Sequence, residues 1–160
     1  MAIQTPIGNG NSHPGMNAFD MQWRADYDGI NRANEVLKIL DQVDDMTDEE
    51  KNRVAAEARF LRGHFYFNLK RMFNMVPWID ETTTNVKQPN DKDIWPFIED
   101  DFQFAMNNLP EIQPNIAKVN KWAAASYLAK SYAYREKWQE AKNLFDNIIT
   151  QGVTFNRNFI

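Results

Sequence analysis

The sequence predicts an all-α fold of about five helices, arranged as antiparallel hairpins and joined by long loops. Three observations carry that expectation. Apolar residues recur every three or four positions in several separate stretches, the period of a helix with one buried face. Helix start signals precede them, the clearest being Thr47-Asp48-Glu49-Glu50, where the threonine caps and the third residue on, a glutamate, reaches back. Apart from Phe155 and Phe159, which suggest a strand beginning near the end, no stretch alternates apolar and polar residues as a half-buried strand would.

Residues 1–18 read as an irregular N-terminal arm, because Pro6, Gly8, Gly10, Pro14 and Gly15 punctuate them. A first helix is expected from about Asn17 to Leu40. Its inward positions are Trp23, Tyr27, Ile30, Asn34, Leu37 and Leu40, all apolar or aromatic but Asn34. Gly29 inside it costs about 1 kcal/mol against alanine. After an acidic turn, the second helix carries the stripe Val54, Ala58, Leu61, Phe65, Leu69 and Met72, with Phe60 and Phe67 on a second apolar face. Pro77 ends it, and a Thr- and Asn-rich connection follows. A third helix is expected over residues 93–108, with Pro96 in its first turn and Ile94, Phe97, Ile98, Phe102, Ala105 and Leu109 inward. The fourth is expected over residues 120–135. The fifth runs over residues 137–151 and stops at Gly152, a residue type favoured just past a helix end. By organisation, then, residues 19–153 form the helical segment, and 154–160 look like the start of a continuation.

Composition removes whole classes of function. The chain has 160 residues, a net charge of only −4 and no cysteine. A basic nucleic-acid footprint is absent, and thiol catalysis, disulfides and thiolate metal sites are excluded. No apolar run approaches the roughly 20 residues a membrane-spanning helix needs, so the chain as given reads as soluble. Asp41, Asp44, Asp45 and Asp48 suggest a calcium loop, but Met46 stands at the required glycine and Asn52 at the bidentate glutamate. No metal or cofactor is expected. His13 and His64 lie far apart without an evident partner. Ser126 and Ser131 read as small packing residues.

The last two helices carry a tetratricopeptide pattern. Leu128, Ala129 and Tyr132 on one, and Trp138, Ala141 and Phe145 on the other, match its small and large positions. The alanines permit close approach, while Tyr132 and Phe145 are expected to fill the groove. Ala125 stands at the leading tryptophan position, and the closing proline is missing.

Three further segments, in order, are similar to the SusD/RagB family. They are Ala56-Glu57-Ala58-Arg59-Phe60-Leu61-Arg62, running on through Leu69 to Val76-Pro77; Ile94-Trp95-Pro96-Phe97-Ile98 to Leu109-Pro110; and Val119-Asn120-Lys121-Trp122 to Gly152. Trp23, Tyr27, Ile30 and Asn34 resemble its first helix. Gly63, Asn74 and Trp78 depart from the usual alanine, glycine and leucine. The resemblance implies a cell-surface, glycan-binding outer-membrane lipoprotein of Bacteroidetes-type bacteria. It implies an oligosaccharide ligand and a TonB-dependent (SusC-like) transporter partner in the full-length parent, and a membrane link only through a lipid anchor absent from this chain. Family members are longer, so the sequence reads as an N-terminal portion.

Glycan handling raises the question of a catalytic carboxylate pair. Glu57, Glu99, Asp100, Asp101 and Glu140 fall on polar helix faces and are expected to be solvated, which points to a binder and not an enzyme. Arg59 and Arg62 are expected in ion pairs or loop caps. Sugar binding favours aromatic faces flanked by amides and carboxylates. Trp78 with Asp80, Thr83 and Asn85 fits that pattern, and His13 to Asn17 fits it less fully. The alternative is a free-standing tetratricopeptide-like adaptor that grips a protein or peptide partner.

Overall fold

The computed structural model of the chain describes residues 17–154, with the side chains of residues 18–151. The expected arm with His13, the side chain of Asn17, and the continuation with Phe155 and Phe159 lie outside what is described. Five helices follow one another: α1 Asn17–Leu40, α2 Asp48–Phe73, α3 Trp95–Asn108, α4 Lys121–Tyr134 and α5 Trp138–Thr154. No strand occurs among the described residues. Each helix packs on its neighbours in sequence, and α2 also touches α4. Short turns link α1 to α2 and α4 to α5, so these pairs are antiparallel hairpins.

Local chemistry sets most of the boundaries. The Thr47 hydroxyl accepts the Glu50 N–H at 3.3 Å, and the Glu50 carboxylate accepts the Thr47 N–H at 2.9 Å, completing the box that starts α2. Asn74 ends α2 at φ 63°, in the region glycine enters freely and asparagine tolerates best among the others. Asn120 caps α4 by accepting the Ala123 N–H at 3.0 Å. Helix α3 begins two residues later than expected, and Asp93 accepts the Trp95 N–H from just outside it. Helix α5 does not stop at Gly152 but runs on to Thr154. A helical glycine costs only about 1 kcal/mol against alanine, too little to end a helix by itself.

The core lies where α2 meets α3 and α4. Tyr66, Phe67, Leu69, Ile98, Phe102 and Leu128 are essentially fully buried there, each burial stabilising by roughly 1.5–3 kcal/mol as an upper bound. Gly63 lets α3 approach, since a Cβ there would stand 3.0 Å from a Phe102 ring carbon. On α1 the inward stripe is as expected, with Ile30, Asn34, Leu37 and Leu40 buried.

The α2 stripe is only partly inward. Leu61 and Met72 are half-exposed, and the second face with Phe60 and Phe67 is the buried one. Helix α2 is flanked by α1 and α3, and its tightest arc faces α3 and α4. Val54, Leu61 and Phe65 instead line an apolar groove of about 480 Å³ that Ala25, Gly29 and Val36 of α1 complete. On the terminal hairpin Ala129 and Ala141 are buried as expected, but Trp138 is 64% and Phe145 38% exposed. Neither plugs a groove, because α5 packs only on α4 among the described elements.

Candidate functional site

The segment after α2 folds back over the α1–α2 pair, and side chains from both helices hold its backbone. Tyr27 donates its hydroxyl hydrogen to the Pro77 carbonyl at 2.8 Å, and Asn34 donates to the Ile79 carbonyl at 3.0 Å. Seven residues apart, these two share one face of α1. From α2, the Tyr66 hydroxyl accepts the Ile79 N–H at 2.6 Å and donates to the Ile79 carbonyl at 2.9 Å. Asn34, the one polar position of the inward stripe, is therefore a loop anchor. Burial pushes the pKa of the Tyr27 and Tyr66 hydroxyls up.

An ion network braces the same region from α3. Asp101 is 1% exposed, contrary to the expectation of a solvated face. Its oxygens accept from Arg59 Nε at 2.7 Å, Arg62 Nε at 2.7 Å and Arg62 Nη2 at 2.8 Å. Arg62 also donates to Asn34 Oδ1 at 3.0 Å and to Glu81, while Arg59 also reaches Asp100. One guanidinium thus joins α1, α2, α3 and the loop. Glu99 is likewise mostly buried and held by Arg135 at 3.0 Å and Lys137 at 2.8 Å. Glu57 pairs with Lys118 at 3.0 Å. Asp100 and Glu140 are exposed as expected.

These contacts fix Trp78. Its indole stacks on Tyr66 at 4.2 Å and 28°, and on Phe97 at 5.0 Å and 22°. The Arg62 guanidinium lies 5.3 Å from the Trp78 ring. Trp78 Nε1 donates to Asp80 Oδ2 at 3.1 Å, while Asp80 Oδ1 accepts from the Thr82 and Thr83 hydroxyls, each at 2.8 Å. Partial burial alone would raise the Asp80 carboxyl, but bonds from Thr83, Thr82 and Trp78 outweigh it and hold it below the usual carboxylate range. Asn85 is exposed and accepts the Lys87 N–H at 3.0 Å.

Phe97 was expected inward but is 40% exposed. The loop occupies the space beside the first turn of α3, so the ring turns onto Trp78 instead of into the core. Trp78 and Phe97 wall a small concavity of about 50 Å³ with Gln88, Pro89 and Lys92. Gln88 and Lys92 carry no helical signal in the sequence; only this return of the loop to α3 brings them to Trp78. The assembly offers apolar ring faces beside an amide and an ammonium. Such a site suits the C–H face of a pyranose together with its hydroxyls.

The remaining polar groups do other work. His64 is half-buried, 3.4 Å from the Asn68 amide, and its pKa is lowered chiefly by burial. Asp26, buried and bonded by Gln22 at 2.9 Å, is raised by burial. Ser126 and Ser131 donate back to the carbonyls of Trp122 and Tyr127 four residues earlier. Among the described residues, no group of three or more His, Cys, Asp or Glu is placed to hold a metal, and no helix is long and apolar enough to cross a membrane.

Comparison with known proteins gives a consistent answer. A family model described as starch-binding and associating with the outer membrane matches residues 11–133. SusD-like protein P2 of Formosa agariphila is 30% identical over 141 residues, covering 84% of this chain and 28% of the relative. A solved laminarin-binding SusD-like protein is 29% identical with a TM-score of 0.79, over 89% of this chain and 32% of that one. A SusD superfamily structure from Bacteroides vulgatus superposes with a TM-score of 0.84 at 22% identity, over 93% and 33% of the two chains, which speaks for the fold alone. The chain spans about a quarter of the length of the curated relatives it matches.

Proposed function

The chain belongs to the SusD-like family, and on that footing we propose that it is the helical, non-catalytic portion of a longer cell-surface lipoprotein that captures oligosaccharides. In this reading the helices serve as scaffold and dock onto a TonB-dependent transporter, while the loop after α2 contributes one wall of the sugar site. The observation that carries it is the rigid Tyr66–Trp78–Phe97 stack, bracketed by Tyr27, Asn34, Tyr66 and Arg62 and bordered by Gln88 and Lys92. A platform held by this many bonds loses little freedom on binding, which favours affinity. Trp78 is the central candidate. Asp80 shapes its loop, and Asn85 stands on the exposed rim. His13 and Asn17 are retained as a second, separate candidate contact.

The test is calorimetry of the full-length gene product with laminari-, malto- and xylogluco-oligosaccharides. The Trp78→Ala and Phe97→Ala variants are expected to weaken binding of the preferred glycan at least tenfold, about 1.4 kcal/mol. Unchanged affinity in both variants overturns the assignment of the site. Sustained release of reducing ends by the pure protein overturns the non-catalytic reading.

A second reading, a free-standing adaptor, draws on the half-open apolar groove between α1 and α2. A stop codon after Ile160 in the natural gene, together with peptide binding in that groove, would favour it.

A further inference from the structure

On the flank of the molecule away from the Asp101 network, α2 and α4 set two residue pairs against each other. Helix α2 contributes Phe67 and, one turn on, Arg71. Helix α4 contributes Lys130 and, one turn on, Tyr134. The Arg71 guanidinium lies 5.5 Å from the Phe67 ring and 5.7 Å from the Tyr134 ring. Lys130 Nζ lies 5.6 Å from the same Phe67 ring and 5.1 Å from Tyr127. Tyr134 meets Phe67 edge-on at 5.4 Å and stacks on Trp95 at 5.7 Å. It is nevertheless 53% exposed.

Two cations thus converge on the buried Phe67 ring, and among the described residues neither Arg71 nor Lys130 makes an ion pair with a carboxylate. The acidic groups around them are engaged elsewhere. Asp93 is taken by Lys70 at 3.1 Å, with Arg135 at 4.0 Å, and Glu99 by Arg135 and Lys137. Asp26 is buried and bonded to Gln22. In a chain of net charge −4, this is a local positive exception. The rings hold the cations in place, so a partner would meet them already positioned. Beside Arg71 lies a concavity of about 320 Å³ lined by Gln22, Asn68 and Met72, large enough for a side chain.

We propose that Tyr134, Arg71 and Lys130 form a docking surface for an acidic segment of a partner protein, one presenting Asp or Glu beside an apolar side chain. Arginine and exposed aromatic residues dominate the energetics of protein interfaces, and opposite charge sets their orientation. Two exposed cations and the half-exposed Tyr134 ring, next to a side-chain-sized concavity, suit a protein loop better than the broad basic surface an anionic membrane favours. The proposal rests on the reading that the helical segment docks onto a transporter, and it names the contact.

The experiment co-expresses the full-length gene product with the TonB-dependent transporter proposed above as its partner and measures complex stability at low and high salt. The wild type is expected to form a complex that weakens with salt. Arg71→Glu with Lys130→Glu should weaken it at least tenfold, and Tyr134→Ala severalfold, while Lys38→Glu leaves it unchanged. Arg71→Gln with Lys130→Gln guards against misfolding by charge reversal, and circular dichroism of the isolated chain checks each variant. A complex of unchanged strength in both double variants overturns the surface while the transporter reading stands. No complex with the wild type overturns both. Binding to phosphatidylglycerol vesicles that the double variants abolish, with the complex intact, assigns the cations to a membrane and overturns the proposal.

Discussion

Replacing Asp101 with alanine tests whether the ion network braces the loop and the three helices around it. The carboxylate is 1% exposed and accepts three bonds from Arg59 and Arg62. Removing it leaves the Arg62 side chain, 5% exposed, with Asn34 and the partly exposed Glu81 as its remaining partners. Arg59 keeps Asp100, whose side chain is largely in water. Breaking a buried pair costs about 3–5 kcal/mol, and these residual contacts place the loss near the lower end, about 3 kcal/mol. For a domain of this size that lowers the melting temperature by roughly 6–12 °C. Urea and thermal unfolding followed by circular dichroism measure it, and the near-ultraviolet band of the stacked Trp78 reports on the loop. Pairing Asp101→Leu with Arg62→Met should cost less than Asp101→Ala alone, because the two most buried charges leave together, Arg59 keeps Asp100, and Glu81 is partly in water. A loss under about 1 kcal/mol for Asp101→Ala, or a double variant worse than the sum of its singles, refutes the reasoning.

Gly29→Ala should destabilise the chain by about 1–3 kcal/mol despite alanine's better helix propensity, since the new Cβ would stand 2.3 Å from the Phe65 ring; a raised melting temperature contradicts this. Thr47→Ala removes the cap of α2 and should cost about 1 kcal/mol in urea unfolding, an unchanged midpoint being the contrary result. The Asp80 carboxyl is held below its ordinary value in the fold. It therefore contributes stability above the unfolded pKa of about 4, and that contribution is lost as pH falls through the folded value. Near-ultraviolet circular dichroism should show the Trp78 loop loosening below about pH 4 in the wild type. Asp80→Asn should not show that step, and identical acid profiles would count against it.

Helix positions were legible wherever the signal was local. Thr47 with Glu50, Asn120, and the three-to-four spacing on α1 each depend on residues within a turn or two of one another. What periodicity cannot convey is which neighbours a helix acquires. Leu61, Met72, Phe97, Trp138 and Phe145 all read as inward because they are apolar at helical spacing, yet each faces an open groove, a returning loop or solvent. Asp101 failed for the converse reason. A carboxylate on a helix reads as solvated until its partners are known, and Arg59 and Arg62 lie 42 and 39 residues away. For the candidate site, the sequence pointed to Trp78 through its loop and polar neighbours. Gln88, Lys92 and the outward turn of Phe97 depended on the tertiary return of that loop to α3. The family's sequence pattern makes physical sense in this light, since Tyr27, Asn34, Tyr66 and Arg62 all converge on residues 77–81.

In the proposed reading the scaffold presents the Trp78–Phe97 face to a sugar, and other parts of the longer protein complete the site. An NMR titration of the isotope-labelled 160-residue chain with the same oligosaccharide panel addresses it most directly. Weak, millimolar-range shifts confined to the Trp78 indole N–H and the amides near Phe97, Gln88 and Lys92 are expected. No shift at millimolar sugar, shifts centred on the α1–α2 groove, or micromolar binding by this chain alone would contradict it.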